Sequence, residues 1–193
     1  MKVEIEFTEP LLGTLSGNKE LAEEHIASKH PKEPQEDEIE SIANIDTELA
    51  NGSTVFNSDE NGAFLWDYQI KGFFKDACSM LRRVPDTRSK KLTAHRKVID
   101  GLIFPTPRKI HIDLAGKTIF TERPLRAQTA QGERICLARS ETAPIGSKIM
   151  VDIVCLDKKL DKLVIEWLNY GAVRGLGQWR NSGMGRFKYS IIE

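Results

Sequence analysis

The sequence predicts an α+β fold in which one antiparallel sheet is backed by helices. Three observations lead to this class. Val3–Phe7 alternates apolar and charged residues, as a half-buried strand does. A hairpin followed by a helix is predicted within residues 54–83. A helix over Leu160–Tyr170 then precedes a glycine-rich loop and a closing strand over Phe187–Ile192.

The hairpin is predicted from two short apolar runs, Thr54–Phe56 and Ala63–Trp66, with the polar run Asn57–Gly62 as the turn between them. Asp67 is placed to cap the helix that follows, which is predicted to end near Arg83. Helical spacing puts the apolar side chains of this helix on one face: Ile70, Phe73, Phe74, Ala77 and Leu81.

A second, basic helix is predicted over Ser89–Phe104, and strands are predicted beyond it. The inward positions of the second helix are Leu92, His95, Ile99 and Leu102. Alternation and Gly or Pro punctuation predict strands at Lys109–Leu114, Thr118–Phe120, Leu125–Gln128, Arg134–Arg139 and Lys148–Leu156. The final helix has its apolar side chains at one helical spacing: Leu160, Leu163, Val164, Trp167 and Leu168.

A net charge of zero hides a strong asymmetry along the 193 residues. Residues 1–62 contain 4 Lys or Arg and 15 Asp or Glu, a formal charge of −11, whereas residues 63–193 contain 24 and 13, a charge of +11. Within the acidic part, residues 13–52 are polar, with two plausible helices separated by Pro31 and Pro34. We therefore predict a single domain over residues 1–193 with an acidic helical insertion at 13–52, and a basic body that can attract a polyanion.

Two function classes are disfavoured by composition. There is no apolar run of 18 residues and no signal-peptide stretch at the N-terminus, which predicts a cytoplasmic protein without a membrane partner. Cys78, Cys136 and Cys155 are odd in number and form no CxxC pair, which argues against a disulfide framework and a cysteine zinc site. No cofactor or metal is expected.

Gly171–Arg186 is the most informative segment, because it combines flexible backbone with phosphate donors. Its glycines, at positions 171, 175, 177, 183 and 185, allow positive φ and close approach of a ligand, and exposed N–H groups can hold anionic oxygens. Arg174, Arg180 and Arg186 supply donors that match phosphate, and a base can stack on Trp179. The alternative is that the glycines serve a tight crossover and that Trp179 belongs to the core. The segment is neither a P-loop nor a Rossmann fingerprint.

A basic stripe on the two predicted helices adds to this signal. Nine cations fall between residues 71 and 97, and three of them, Lys71, Lys75 and Arg82, share one helix stripe. The only acidic residues in the same range are Asp76 and Asp86, so the stripe is predicted to extend the phosphate-binding surface if it lies on the same side as the loop. The alternative is a solubilising helix face.

Two motifs resemble the RAMP superfamily, the CRISPR-associated proteins built on ferredoxin-like (RRM-like) folds. GLGQWRNSGMGRF resembles the family's C-terminal glycine-rich motif, and AFLWDYQIKGFFKDACSML its hairpin-to-helix signature, although Leu65–Gln69 departs from the Pro-Gly-Ser part. SETAPIGSKIMVDIVCL is a weaker match. Together they cover about residues 54–193. The whole chain also resembles uncharacterised prophage proteins of Gram-positive bacteria, which would place it in the cytoplasm of a bacterial host.

The resemblance implies a ferredoxin-like fold, single-stranded RNA as the usual ligand, and self-association along it. Gly175, Gly177, Gly183 and Gly185 match the family's glycine positions, and Lys71 matches its helix lysine. No catalytic residue is assigned, because Asp37, Asp46 and Asp59 are equally unanchored and His25, His30, His95 and His111 are isolated. An enzyme is therefore the least supported class.

The predicted nucleic-acid-binding residues are Lys71, Lys75, Arg82, Arg174, Gly175, Gly177, Trp179, Arg180, Gly183, Gly185 and Arg186. Two other functions stay open. One is an anti-defence protein that mimics a CRISPR subunit and binds a host defence protein. The other is a cyclic-nucleotide-binding protein that uses the same loop.

Overall fold

A computed structural model describes the backbone of residues 1–16, 53–129 and 132–192 and, outside residues 124–137, their side chains. The helices are α1 (Asp67–Leu81), α2 (His95–Leu102) and α3 (Asp161–Arg174), with short 3₁₀ turns at Ser89–Lys91, Lys158–Leu160 and Arg180–Ser182. The strands are β1 (Lys2–Phe7), β2 (Leu11–Leu12), β3 (Leu15–Ser16), β4 (Ser53–Val55), β5 (Asn57–Asp59), β6 (Gly62–Trp66), β7 (Ile103–Thr106), β8 (Lys109–Asp113), β9 (Ile119–Thr129), β10 (Gly132–Ala143), β11 (Lys148–Cys155) and β12 (Phe187–Ile191).

The main sheet has the strand order β12-β1-β11-β8-β6-β5, and β7 also pairs with β11. All of its pairings are antiparallel. β1 lies between β12 and β11, with Ile5 opposite Tyr189 on one side and Ile149 on the other. The predicted fold class, an antiparallel sheet combined with helices, is confirmed.

A smaller sheet has the order β2-β10-β4-β3, with β9 paired along β10. β9 and β10 form one long hairpin that runs in register from Ile119↔Thr142 to Thr129↔Gly132. The sequence predicts this hairpin only as three separate strands. Its prediction for Thr54–Phe56 is also wrong in pairing, because β4 pairs with β10 and β3. The hairpin before α1 is instead β5–β6, so part of the predicted turn is itself a strand.

Helix α1 begins differently from the prediction. The Trp66 N–H donates to Gln69 Oε1 at 2.8 Å, so a glutamine one turn into the helix satisfies a group at its start. Asp67 is the first helical residue, and its Oδ1 accepts from the Tyr68 N–H at 2.8 Å. The predicted capping role of Asp67 is therefore taken by Gln69. The predicted second helix is shortened to α2, because Phe104 belongs to strand β7.

The core lies between the helices and the main sheet. Val3, Ile5 and Phe7 are buried from β1, and the predicted inward residues of α3 are all buried. The ring centroids of Phe74 and Trp167 lie 5.4 Å apart, which joins α1 to α3. Because successive residues of a strand face opposite sides, the charged residues of β1 lie on the sheet face away from the helices.

Glu166 on α3 anchors the connection between α1 and α2. Its carboxylate accepts from the backbone N–H of Arg88 at 2.7 Å and from the N–H and hydroxyl of Ser89, at 3.0 and 2.5 Å. Trp167 Nε1 donates to the same hydroxyl at 2.9 Å. Ser89 is fully buried, so this network fixes the approach to α2.

Of the predicted insertion at residues 13–52, Leu15–Ser16 form strand β3, and residues 17–52 lie outside the described residues. Among the described ranges, no helix combines the length and the apolar character that crossing a membrane requires.

Candidate nucleic-acid interface

The glycine-rich segment forms a folded loop between α3 and β12, held by its own backbone. The Leu176 N–H donates to the Gly185 carbonyl at 2.9 Å, and the Gly185 N–H donates to the Pro10 carbonyl at 2.8 Å. Gly175 closes α3 through a bond from its N–H to the Gly171 carbonyl, also 2.8 Å. These hydrogen bonds connect the two ends of the loop to each other, and they connect the loop to the segment after β1.

Two glycines are required by this geometry. Gly175 and Gly185 have φ of +84° and +69°, and a Cβ on either would overlap a backbone carbonyl, of Met184 and Leu176 respectively. Their N–H groups are used inside the fold, so they do not form the anion nest that the sequence suggested. The N–H groups of Gly177 and Gln178 are better placed, because they donate to no acceptor in the described part of the chain.

Two of the three predicted loop arginines meet at a single carboxylate. Arg180 Nη1 lies 2.7 Å from Asp76 Oδ2 of α1, and Arg174 Nε lies 3.8 Å from the same oxygen. Arg174 Nη1 also donates to Asn181 Oδ1 at 2.6 Å. Arg186 donates from Nε to the Val173 carbonyl at 2.9 Å, which leaves its charge without an acidic partner among the described residues.

A fourth arginine, Arg123 of β9, was missed by the sequence analysis. It is only 6% exposed, and it donates from Nη1 to Ser140 Oγ at 2.9 Å and from Nη2 to Gln178 Oε1 at 3.1 Å. Burial lowers the pKa of the Arg123 guanidinium below its ordinary value. No described carboxylate lies within ion-pair distance of it, so its charge adds to that of the loop. The signal in the sequence that could have indicated Arg123 is an arginine at a position where strand alternation expects an inward-facing residue.

Trp179 lies at the edge of the loop and is half-buried, not a core residue. Its backbone is left-handed, with φ of +52°, which is rare for a bulky side chain. The Arg123 guanidinium carbon lies 5.0 Å from its ring centroid. The side chain is thereby held in place beside the loop arginines, with part of its surface open to solvent.

The basic stripe is arranged differently from the prediction. Lys75 Nζ lies 2.5 Å from Asp100 Oδ1, and Lys71 Nζ lies 3.3 Å from the Asp100 carbonyl and 4.5 Å from the Phe104 ring centroid. Asp100, on α2, therefore neutralises part of the positive charge of the stripe, although it lies outside residues 71–97. Arg82 Nη1 meets His95 Nδ1 at 3.0 Å. The stripe faces α2, and the loop meets α1 at Asp76, so the structure does not bring the two groups into contact.

Two of the isolated histidines, His95 and His111, and Asp59 have structural partners, whereas His25 and His30 lie outside the described residues. His95 Nε2 lies 2.9 Å from Ser79 Oγ, and its pKa is lowered by burial and by nearby Arg82. His111 Nε2 of β8 lies 3.0 Å from Asp59 Oδ1 of β5, across strand β6 between them. Burial raises the pKa of Asp59, but the hydrogen bonds from His111, the Asn61 N–H and Lys109 outweigh it and leave the pKa lowered.

Fold and site together define an α+β protein with a rigid, arginine-rich loop against one helix. Of its four guanidiniums, those of Arg174 and Arg180 share the carboxylate of Asp76, and those of Arg123 and Arg186 have no carboxylate partner among the described residues. Such an excess of positive charge suits a ligand with several anionic groups.

Comparison with known proteins yields a fold but no family. No protein-family model matches the sequence, and no curated protein is similar to it. Among solved structures, the chain is similar to a chain of the type III-B Cmr-β complex, whose cryo-EM structure was determined bound to cognate target RNA. The TM-score is 0.58 at 13% sequence identity, and the match covers all of this chain and 58% of the other. This protein thus spans little more than half the length of its structural neighbour, and the two share the fold.

Proposed function

We propose that this protein binds single-stranded nucleic acid, with RNA as the first candidate, on the surface formed by the glycine- and arginine-rich loop and the adjoining part of α1. The observation that carries the proposal is the charge of the loop region. Two of its four arginines pair with a single carboxylate, and the other two have no carboxylate partner among the described residues. Arginine donors match phosphate oxygens in geometry.

The arrangement favours an extended polyanion over a compact one. Arg174 and Arg180 meet at Asp76, whereas Arg186 donates to the Val173 carbonyl, so the three arginines do not all converge on one point. The N–H groups of Gly177 and Gln178, which have no acceptor among the described residues, lie between Arg174 and Arg180 in sequence. A strand with regularly spaced phosphates can meet donors that are separated in this way. Trp179 adds a surface for base stacking, which contributes about 1–3 kcal/mol per base in single-strand binders.

The structural neighbour supports the same proposal. It belongs to a complex whose structure contains target RNA, and its fold is shared with this chain. Self-association along the ligand, which the sequence resemblance implied, is part of the proposal. The basic stripe of Lys71, Lys75 and Arg82 is a secondary contact in this proposal, because Asp100 already neutralises part of it.

The test is a salt titration of binding to a labelled single-stranded RNA, followed by fluorescence anisotropy. The double variant Arg174→Gln/Arg180→Gln should reduce the slope of log K against log salt by about 1.4, because each lost phosphate contact contributes about 0.7. The matched control is Lys148→Gln/Lys188→Gln, which changes the charge equally. Those lysines pair with Glu4 and Glu6 on the sheet face away from the helices.

The proposal would be contradicted if the affinity of the wild-type protein did not depend on salt concentration, or if both double variants had the same slope of log K against log salt. Copurifying material distinguishes the other candidate functions. An RNA ladder supports the proposal, whereas a single nucleotide, or a host protein retained after nuclease treatment, would replace it with the cyclic-nucleotide or the anti-defence function.

A further inference from the structure

A cleft of about 250 Å³ lies beside the loop, where α1 meets strands β5 and β6. Its walls include Tyr68 and Gly72 of α1, Asn57 of β5, and Gly177 and Arg180 of the loop. The volume is close to the lower end of the roughly 300–1,000 Å³ that is usual for small-ligand pockets. Because Arg180 lines both this cleft and the loop surface, the cleft opens beside the proposed path of the phosphates.

One wall of the cleft carries a polar side chain, Asn57, whose oxygen has no hydrogen-bond partner among the described residues. Asn57 is 4% exposed, and its Oδ1 is buried without a hydrogen-bond partner among the described residues. Buried polar groups in proteins are paired in the large majority of cases, since an unpaired one costs stability. Because no described residue pairs with it, this oxygen is an acceptor at the wall of the cleft for a group that enters there.

A second wall carries a glycine that the fold does not require. Gly72 lies inside helix α1 with an ordinary helical φ, and a Cβ built on it would have no described atom within 4 Å. Glycine in a helix interior reduces stability relative to alanine, and here neither packing nor backbone conformation demands it. Because Gly72 has no side chain, free volume remains at the edge of the cleft.

We infer that this cleft binds one unpaired nucleobase carrying an amino group next to a ring nitrogen, cytosine or adenine, with Asn57 reading its edge. The inference rests on the proposed function and adds to it a site for base recognition. Asn57 supplies an acceptor at Oδ1 for the amino group and a donor at Nδ2 for the ring nitrogen. Tyr68, which stacks on Trp66 with ring centroids 6.1 Å apart and planes inclined at 14°, provides an aromatic wall.

The experiment compares oligocytidylate with oligouridylate of equal length, because the two carry the same phosphates and bases of nearly the same size. Cytosine presents an amino donor beside an acceptor, and uracil presents the reverse order. Wild-type protein should bind oligocytidylate at least about fivefold more tightly, which is the lower limit for one good bidentate contact. Asn57→Leu should bring the two affinities within about twofold while leaving the salt dependence unchanged.

Gly72→Ala supplies an independent arm, because it adds one methyl group to the cleft and should leave the protein at least as stable. It should weaken oligocytidylate binding, whereas the control Gly101→Ala, at an equally open helical position on α2, should not. Thermal unfolding of every variant checks that binding changes are not unfolding.

Equal affinity of wild type for both oligomers, or an unchanged preference in Asn57→Leu, overturns the base site and leaves the proposed function standing. Absence of salt-sensitive binding to either oligomer overturns the proposed function and the base site with it.

Discussion

Three glycines allow backbone strain to be separated from steric overlap at the loop position Gly185, by adding one methyl group at each of Gly101, Gly62 and Gly185. Gly101→Ala adds it in open space on a helix and should stabilise the protein by about 0.5–1 kcal/mol. Gly62→Ala adds it in open space at a φ of +108°, so only backbone strain opposes it, at a cost of about 1–3 kcal/mol. Gly185→Ala combines a φ of +69° with an overlap on the Leu176 carbonyl.

The expected cost at Gly185 follows from these parts. Strain contributes about 1–3 kcal/mol, and relief of the overlap must stretch the bonds that join Gly185 to Leu176 and Pro10, each with a net value of about 0.5–1.5 kcal/mol. The total is about 2–6 kcal/mol. Urea unfolding of the three variants measures it, with the order Gly101 above wild type, then Gly62, then Gly185. A Gly185→Ala protein within about 0.5 kcal/mol of wild type would refute the conclusion that this glycine serves the fold.

Three further outcomes are expected. Glu166→Ala should lower the free energy of unfolding by about 1.5–3 kcal/mol, measured in urea, because the amide and hydroxyl of buried Ser89 lose their charged acceptor; a loss below about 0.5 kcal/mol would show that the network is not stabilising. Asp59 has a lowered pKa in the folded protein, so it should contribute stability at neutral pH that is lost as pH falls through that pKa. Asp59→Asn should therefore flatten the acid limb of a plot of unfolding free energy against pH. An unchanged acid limb would contradict this expectation. Arg123→Met should weaken RNA binding in an anisotropy titration while the melting temperature falls little, since methionine removes a buried charge that has no described carboxylate beside it; unchanged affinity would exclude Arg123 from the site.

Elements with a local signal were predictable from the sequence. Helix α3 has its buried side chains at one helical spacing, and β1 alternates cleanly, so both were predicted close to their observed bounds. β9 was predicted in pieces because Pro124 interrupts its pattern. In the sheet, β9 pairs only with β10 within the described ranges, and an edge strand tolerates a proline that a central strand would not.

The site was harder to predict because its parts come from distant segments. The loop arginines were identified, but their partner Asp76, the buried Arg123 and the balancing Asp100 lie on three other elements. Charge counted along the sequence could not reveal which acid meets which base, since pairing depends on the tertiary arrangement. Asn57 was assigned to a turn, so nothing in the sequence indicated a buried, unpaired carboxamide.

The position of β1 between β11 and β12 has a kinetic consequence. The arginine-rich loop leads directly into β12, and β12 finds its place only by pairing with β1, from Val3↔Ile191 to Phe7↔Phe187. Contacts between segments so far apart in sequence are slow to form, because a long stretch of chain must be closed before they are made. The arginines are therefore expected to reach their final arrangement late in folding, after the helices have formed.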